Sequence, residues 1–129
     1  MKVVDASVVL EVLLQTPLAA AIEEHLFTSE QLHAPHLIDL EVAQVLRRFV
    51  FRSEIQTERG RAALADYADL PIRRYPHDFL LPRIWDLRDN LTAYDAAYVA
   101  LAEALDATLL THDRKLATAG GHQARIELL

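Results

Sequence analysis

The sequence predicts an α/β protein of three layers, α/β/α, in which helices cover both faces of a central parallel sheet. Three observations support this prediction. Short runs of β-branched and other apolar residues alternate with longer segments in which apolar residues recur every three or four positions. Strands that alternate with helices form parallel sheets with helices on both faces. The length of 129 residues, without a repeat or a linker, predicts a single domain over residues 1–129.

The first half of the chain predicts two strand-helix units. Lys2 to Val4 is a short strand, and the apolar helical pattern after it continues until a proline interrupts it. Leu18 to Phe27 also repeats apolar residues at helical spacing, and Gln31 to Pro35 predicts the second strand. The helix predicted from Ile38 carries Glu41 on an otherwise apolar stripe, where an unpaired carboxylate is costly to bury.

The second half predicts three helices and three strands. In chain order these are a helix over Thr57 to Leu70, a strand over Ile72 to Tyr75, a helix over Phe79 to Leu87, a helix over Thr92 to Leu105, a strand over Thr108 to Thr111 and a strand over Ala124 to Leu128. The helix from Thr92 is rich in alanine, which favours helix strongly.

Composition excludes several classes of site. The chain has no cysteine, so a disulfide framework, a thiolate zinc site and a cysteine nucleophile are all excluded. The three glycines form neither a dinucleotide-binding motif nor a phosphate-binding loop. The N-terminus has no long apolar stretch, and no apolar run reaches the roughly 18 residues of a membrane span. We therefore expect a cytoplasmic protein that does not cross a membrane.

Four carboxylates are the candidate site. Asp5 and Asp113 each follow a predicted strand, and ligands of open α/β sheets bind beyond the carboxyl ends of the strands. Glu41 and Asp95 lie near the starts of predicted helices, which would return them to the same edge. Carboxylates that are forced together repel unless a cation neutralises them, and Mg²⁺ prefers oxygen ligands. Such a centre suits hydrolysis of a phosphodiester bond.

The net charge of −6 argues, taken alone, against a nucleic-acid substrate. If bound metal offsets the charges of the four candidate carboxylates, the remaining net charge is −2 rather than −6. Eleven of the 13 basic residues are arginine, whose planar guanidinium suits phosphate. The acidic total is therefore compatible with RNA as the substrate.

Each acid also has an ordinary structural explanation. Asp5 can be a solvated residue at the end of a strand, and Ser7 is typical of a helix N-cap. Thr92 and Asp95 have the spacing of a capping box. Asp113 can cap a last helix or form an ion pair with a neighbouring basic side chain. Ser7 and Thr111 are also near enough in sequence to orient a ligand.

Four short motifs occur in a characteristic order. They are Val3-Val4-Asp5-Ala6-Ser7, Ala34-Pro35 leading to Glu41-Val42-Ala43, Leu91-Thr92-Ala93-Tyr94-Asp95-Ala96-Ala97-Tyr98, and Leu110-Thr111-His112-Asp113. In order and spacing they resemble the PIN domain, and specifically the VapC-type toxins of bacterial type II toxin-antitoxin pairs. The resemblance covers essentially the whole chain.

The resemblance implies the same three-layer fold and an endoribonuclease that depends on Mg²⁺ or Mn²⁺. It assigns Asp5, Glu41, Asp95 and Asp113 to catalysis and to the metal site, and it makes Thr111 a supporting residue. It further implies a homodimer that is neutralised by a cognate antitoxin. It leaves open which RNA is cleaved, and it assigns no role to His112.

Two other functions stay open at this point. One is a catalytically silent PIN-like scaffold, although a scaffold has no physical need for four clustered acids. The other is a receiver-like signalling module that binds Mg²⁺ and accepts a phosphoryl group. Receiver-like modules place adjacent acids after the first strand, whereas Asp5 is followed by Ala6 and Ser7.

Overall fold

The computed structural model describes residues 1–28 and 30–129 of the chain. Its strands and helices alternate along the sequence. In chain order they are β1 (Lys2–Val4), α1 (Ala6–Leu13), α2 (Ala19–Leu26), β2 (Leu32–Pro35), α3 (Leu37–Phe51), α4 (Thr57–Ala68), β3 (Ile72–Tyr75), α5 (Leu81–Asp86), α6 (Ala93–Leu105), β4 (Thr108–Thr111), α7 (Arg114–Thr118) and β5 (Arg125–Leu128). The five strands match the predicted ones to within a residue at either end.

Two helical segments differ from the sequence prediction. The single helix expected over Phe79 to Leu87 is a 3₁₀ turn over Asp78–Leu80 followed by α5. Pro82 is in the first turn of α5, where its missing N–H costs no hydrogen bond, so a new helix begins there. The other difference is α7, a helix of five residues, which is too short for a periodic pattern to be recognised.

All five strands pair in parallel, in the order β3-β2-β1-β4-β5. The predicted parallel sheet is therefore confirmed. From β1 the chain moves to β2 and β3 on one side, and from β4 it moves to β5 on the other. The gap beyond the carboxyl ends of β1 and β4 is thus the point where the connections diverge, which is where open α/β sheets bind ligands.

The helices form two groups around the sheet. Helices α1 to α4 pack on one another, whereas α5 packs on α6, and α6 contacts β1, β2 and β4. Because β-α-β connections are right-handed, the two groups cover opposite faces. The strand residues Val3, Val4, Leu109 and Leu110 are fully buried between them. No helix of the described residues is both long and apolar enough to cross a bilayer.

Candidate active site

Asp5 is the first residue after β1 and is the N-cap of α1. Its Oδ1 accepts a hydrogen bond from the backbone N–H of Val8 at 3.3 Å, and the residue is only 6% exposed. The prediction that Ser7 is the N-cap is therefore wrong, because the helix begins one residue after Asp5 and Ser7 already lies in its first turn. Asp5 caps a helix and faces the end of the sheet at the same time.

Two hydroxyl groups hold the Asp5 carboxylate in place. Ser7 Oγ donates to Oδ1 at 2.5 Å, and Thr111 Oγ1, at the end of β4, donates to Oδ2 at 2.5 Å. The backbone N–H groups of His112 and Asp113 in turn donate to Ser7 Oγ and Thr111 Oγ1, at 2.9 and 3.0 Å. The loop after β4 is thereby fixed against the residue that follows β1.

Burial raises the pKa of Asp5, and the three hydrogen bonds to its carboxylate oppose that rise. The nearby charge of Asp113 raises the pKa further. Asp5 is thus a carboxyl group that loses hydration without gaining a cationic neighbour from the part of the chain that the structure describes.

Glu41 lies in the second turn of α3 and meets a tyrosine from the opposite helical layer. Tyr98 Oη donates to Glu41 Oε1 at 2.5 Å, and Tyr98 is only 1% exposed. Burial raises the pKa of Glu41, the hydrogen bond from Tyr98 lowers it, and the charges of Asp95 and Asp5 raise it again. The carboxylate expected to be costly to bury on an apolar stripe is thus only half-buried, and it has a specific partner in the buried Tyr98.

Asp95 lies in the first turn of α6. Its backbone N–H donates to Thr92 Oγ1 at 3.2 Å, so Thr92 is the N-cap that the sequence predicts. Burial raises the pKa of Asp95, the charge of Asp113 raises it further, and hydrogen bonding with Thr92 opposes both.

Asp113 is the N-cap of α7, and its Oδ1 accepts from the backbone N–H groups of Lys115 and Leu116 at 2.9 and 3.4 Å. The alternative explanation of Asp113 as a helix cap is thus confirmed. The capping role does not remove the carboxylate from the site, because Asp113 also raises the pKa of both Asp5 and Asp95.

These four side chains line one pocket at the carboxyl edge of the sheet, and we call Asp5, Glu41, Asp95 and Asp113 the acidic centre. The pocket has a volume of about 400 Å³, and its lining contains no lysine or arginine among the described residues. Among residues 1–28 and 30–129, no three acidic or histidine side chains lie close enough together to bind a metal ion without rearrangement. The acidic centre therefore brings the four predicted residues to one cavity, with their carboxylates spread around it.

The chemistry of the acidic centre fits a hard divalent cation. All four groups present carboxylate oxygens, the ligands that Mg²⁺ and Mn²⁺ prefer. Three of the four have a raised pKa for which burial is the leading cause and the other acids are a contributing cause. A cation between the carboxylates would relieve their mutual repulsion, which no lysine or arginine of the described lining offsets.

Sequence reasoning assigned no site role to several residues of this pocket, among them Tyr98, Glu11 and His112. Tyr98 stood only within one of the four motifs, Glu11 was not singled out, and His112 received no role. The signal for Tyr98 was its position three residues after Asp95, on the same face of α6. Glu11 lies four residues after Ser7, on the same face of α1.

Comparison with known proteins gives consistent results. The family model described as "PIN domain" matches residues 2–121. The chain is 45% identical over 129 residues to "VapC ribonuclease Mb0985" of Mycobacterium bovis, covering 100% of this chain and 98% of that protein. It is also 45% identical over 128 residues to "Ribonuclease VapC1" of Mycobacterium tuberculosis, covering 98% of this chain and 96% of that one.

A solved structure shows the same fold at low sequence identity. It is the crystal structure of VapBC2 from Rickettsia felis bound to a DNA fragment from their promoter. The TM-score is 0.72 at 13% identity, with 98% of this chain and 97% of that chain covered. At this identity the likeness supports the three-layer architecture alone.

Proposed function

Because the chain belongs to the PIN domain family, and within it to the VapC ribonucleases, we propose that it is an endoribonuclease that hydrolyses RNA phosphodiester bonds with a divalent cation at the acidic centre. The observation that supports this most strongly is the meeting of four carboxylates, from remote parts of the chain, in one pocket. We further propose that all four contribute to binding the cation, with Mg²⁺ or Mn²⁺ as the metal.

A divalent cation bound there would supply positive charge to the scissile phosphate and would lower the pKa of water. The side chains around the acidic centre hold its carboxylates in a fixed orientation. Ser7 and Thr111 hold both oxygens of Asp5, and Tyr98 holds one oxygen of Glu41, so that these carboxylates need not reorganise when substrate binds. Burial raises the pKa of Asp95 in the metal-free site, so a bound cation would stabilise the ionised form of this carboxylate.

We also propose that the protein is the toxin of a toxin-antitoxin pair, acts in the cytoplasm as a homodimer and is inhibited by a cognate antitoxin. The support is the VapC name of the relatives at 45% identity and the VapBC complex of the same fold. A small neighbouring gene whose product copurifies with this chain and blocks its activity is the expected observation. A chain that stays monomeric and has no such inhibitor would contradict the proposal on partners while leaving the nuclease untouched.

The activity is tested by incubating purified protein with total cellular RNA and Mg²⁺ or Mn²⁺, beside EDTA, and by mapping the cut ends. Asp95→Asn is the test variant, because it removes a charge and keeps the shape. Asp66→Asn, at an exposed position of α4, is the matched control. We expect discrete cuts that need the metal and that Asp95→Asn lowers by about 100-fold or more, whereas Asp66→Asn cleaves as the wild type does. Full cleavage by Asp95→Asn would contradict the assignment.

A further inference from the structure

The pocket extends beyond the acidic centre along α1 and α3. This extension is lined by Leu10 of α1, by Leu14 directly after α1, and by Val45 and Phe49 of α3. The total volume of about 400 Å³ lies within the roughly 300–1,000 Å³ of small-molecule sites. A phosphate group alone does not need so large a cavity, whereas a nucleotide brings a base whose two faces are apolar.

Glu11 and His112 are among the polar side chains that line this pocket outside the acidic centre, and each has a hydrogen bond of its own. Glu11, on α1, is 21% exposed, and the hydroxyl of Thr16 donates to its Oε2. This bond ties the end of α1 to the turn after it and accounts for one carboxylate oxygen in structural terms. The other oxygen, Oε1, faces His112.

The ring of His112 is held from its other side. Its Nδ1 lies 2.6 Å from the carbonyl oxygen of Leu129, and since a carbonyl oxygen only accepts, Nδ1 carries the hydrogen. The ring is thereby fixed with Nε2 directed toward Glu11.

Glu11 Oε1 has no hydrogen-bond partner among the described residues. His112 Nε2 is 3.7 Å from it, which is longer than a hydrogen bond. An amino group that enters the pocket can therefore donate a hydrogen bond to Oε1. Adenine, cytosine and guanine carry an exocyclic amino group, and glutamate accepts from such a group in known base contacts.

We propose that Glu11, with His112 beside it, recognises the exocyclic amino group of a nucleobase adjoining the scissile phosphate. The acidic centre then holds the phosphate, the apolar extension holds the base, and Glu11 determines which bases are accepted. RNA with adenine, cytosine or guanine at that position is cleaved faster than RNA with uracil. This inference rests on the proposed ribonuclease function and adds a specificity-determining residue to it.

The test begins from the cut site that wild-type protein makes in RNA. Short synthetic RNAs are compared that differ by the amino group alone, at each base flanking the cut: guanine against hypoxanthine, adenine against purine, or cytosine against 2-pyrimidinone. At one flanking position we expect removal of the amino group to lower kcat/KM by about 10- to 100-fold, as for loss of a hydrogen bond to a charged group. Equal kcat/KM for the amino-bearing and the amino-lacking RNA at both flanking positions would overturn the inference. A cut site with uracil on both sides would also overturn it.

The variant Glu11→Leu identifies the residue responsible, because it removes both acceptor oxygens, whereas glutamine would keep one. We expect the ratio of kcat/KM between the amino-bearing and the amino-lacking RNA to fall to near unity. The rate on the amino-lacking RNA should fall less than the rate on the amino-bearing RNA, because the amino-lacking RNA makes no bond to Glu11. A purely structural role for Glu11 would lower both rates together and keep the ratio, and that result would overturn the inference.

Glu24→Leu, on the exposed face of α2, is the matched control and should keep the wild-type ratio. If Glu11→Leu melts below the assay temperature, Glu11→Asp replaces it, because its shorter side chain withdraws the carboxylate and should also lower the ratio. If wild-type cleavage depends on the acidic centre but is equally fast with and without the amino group, this inference is refuted and the proposed function stands. Folded wild-type protein without such cleavage refutes the proposed function, and the inference with it.

Discussion

At the residue scale, the acidic centre combines structural and chemical roles in the same side chains. Asp5 and Asp113 each cap a helix, so both are held by backbone N–H groups as well as being exposed to the pocket. Their positions after strands could be predicted from the sequence, because parallel strands end at one edge of a sheet. The bond between Tyr98 and Glu41 could not, since it joins residues 57 positions apart through the packing of two helices.

Asp95 provides a prediction about stability. Burial and the charge of Asp113 raise its pKa, so its ionised form destabilises the metal-free protein at neutral pH. Asp95→Asn removes that charge and should raise the Tm in EDTA by about 1–3 °C, because solvent screens part of the repulsion at this partly exposed position. Thermal melts beside Asp66→Asn, which should not change the Tm, provide the measurement.

The same variant should show a characteristic pH dependence. A carboxyl whose pKa is raised in the folded state above the ordinary 3.8 contributes stability that is fully present below 3.8 and is lost as the pH rises through the raised value. The Tm difference between Asp95→Asn and wild type in EDTA should therefore widen as the pH rises above 3.8. A difference that narrows over that range would contradict the assigned cause.

At the element scale, the strands and long helices could be predicted because their apolar periodicities are regular. The sequence did not resolve the split at Pro82 or the short helix α7, since both depend on a single turn of backbone. The helices are also joined by polar contacts that periodicity does not reveal. Tyr67 Oη on α4 donates to Asp39 Oδ1 on α3 at 2.5 Å, and Arg74 Nε on β3 donates to the same atom at 2.6 Å.

This contact supports a prediction about helix packing. Tyr67→Phe keeps the ring under the Arg74 guanidinium, 4.9 Å from its centroid, but removes the hydroxyl that joins α4 to α3. Because Tyr67 is only 4% exposed, we expect a loss of about 1 kcal/mol in the free energy of unfolding, measured by urea denaturation. Tyr94→Phe, at a residue that is 63% exposed, is the control and should be neutral. Equal stabilities of the two variants would show that the hydroxyl contributes nothing.

At the scale of the whole molecule, the fold places the acidic centre at the point where the connections from β1 and β4 diverge. Asp5 follows β1, Asp113 follows β4, and α3 and α6 bring Glu41 and Asp95 from opposite helical layers. The sequence could predict that the acids share an edge, because the order of strands and helices was regular. It could not predict the apolar extension with Glu11 and His112, which depends on how α1 and α3 pack.

The same arrangement explains how a chain of net charge −6 can act on RNA. Five of its acidic side chains line one pocket, and four of them form the acidic centre, where a bound cation would turn the repulsion of an approaching phosphate into attraction. The measurement that tests this most directly is titration of metal-free wild-type protein with Mn²⁺ by calorimetry, beside Asp95→Asn and Asp66→Asn. We predict saturable binding to wild type and to Asp66→Asn, and at least about tenfold weaker binding to Asp95→Asn. Equal Mn²⁺ affinity of all three proteins would contradict the account, because the cation would then bind elsewhere.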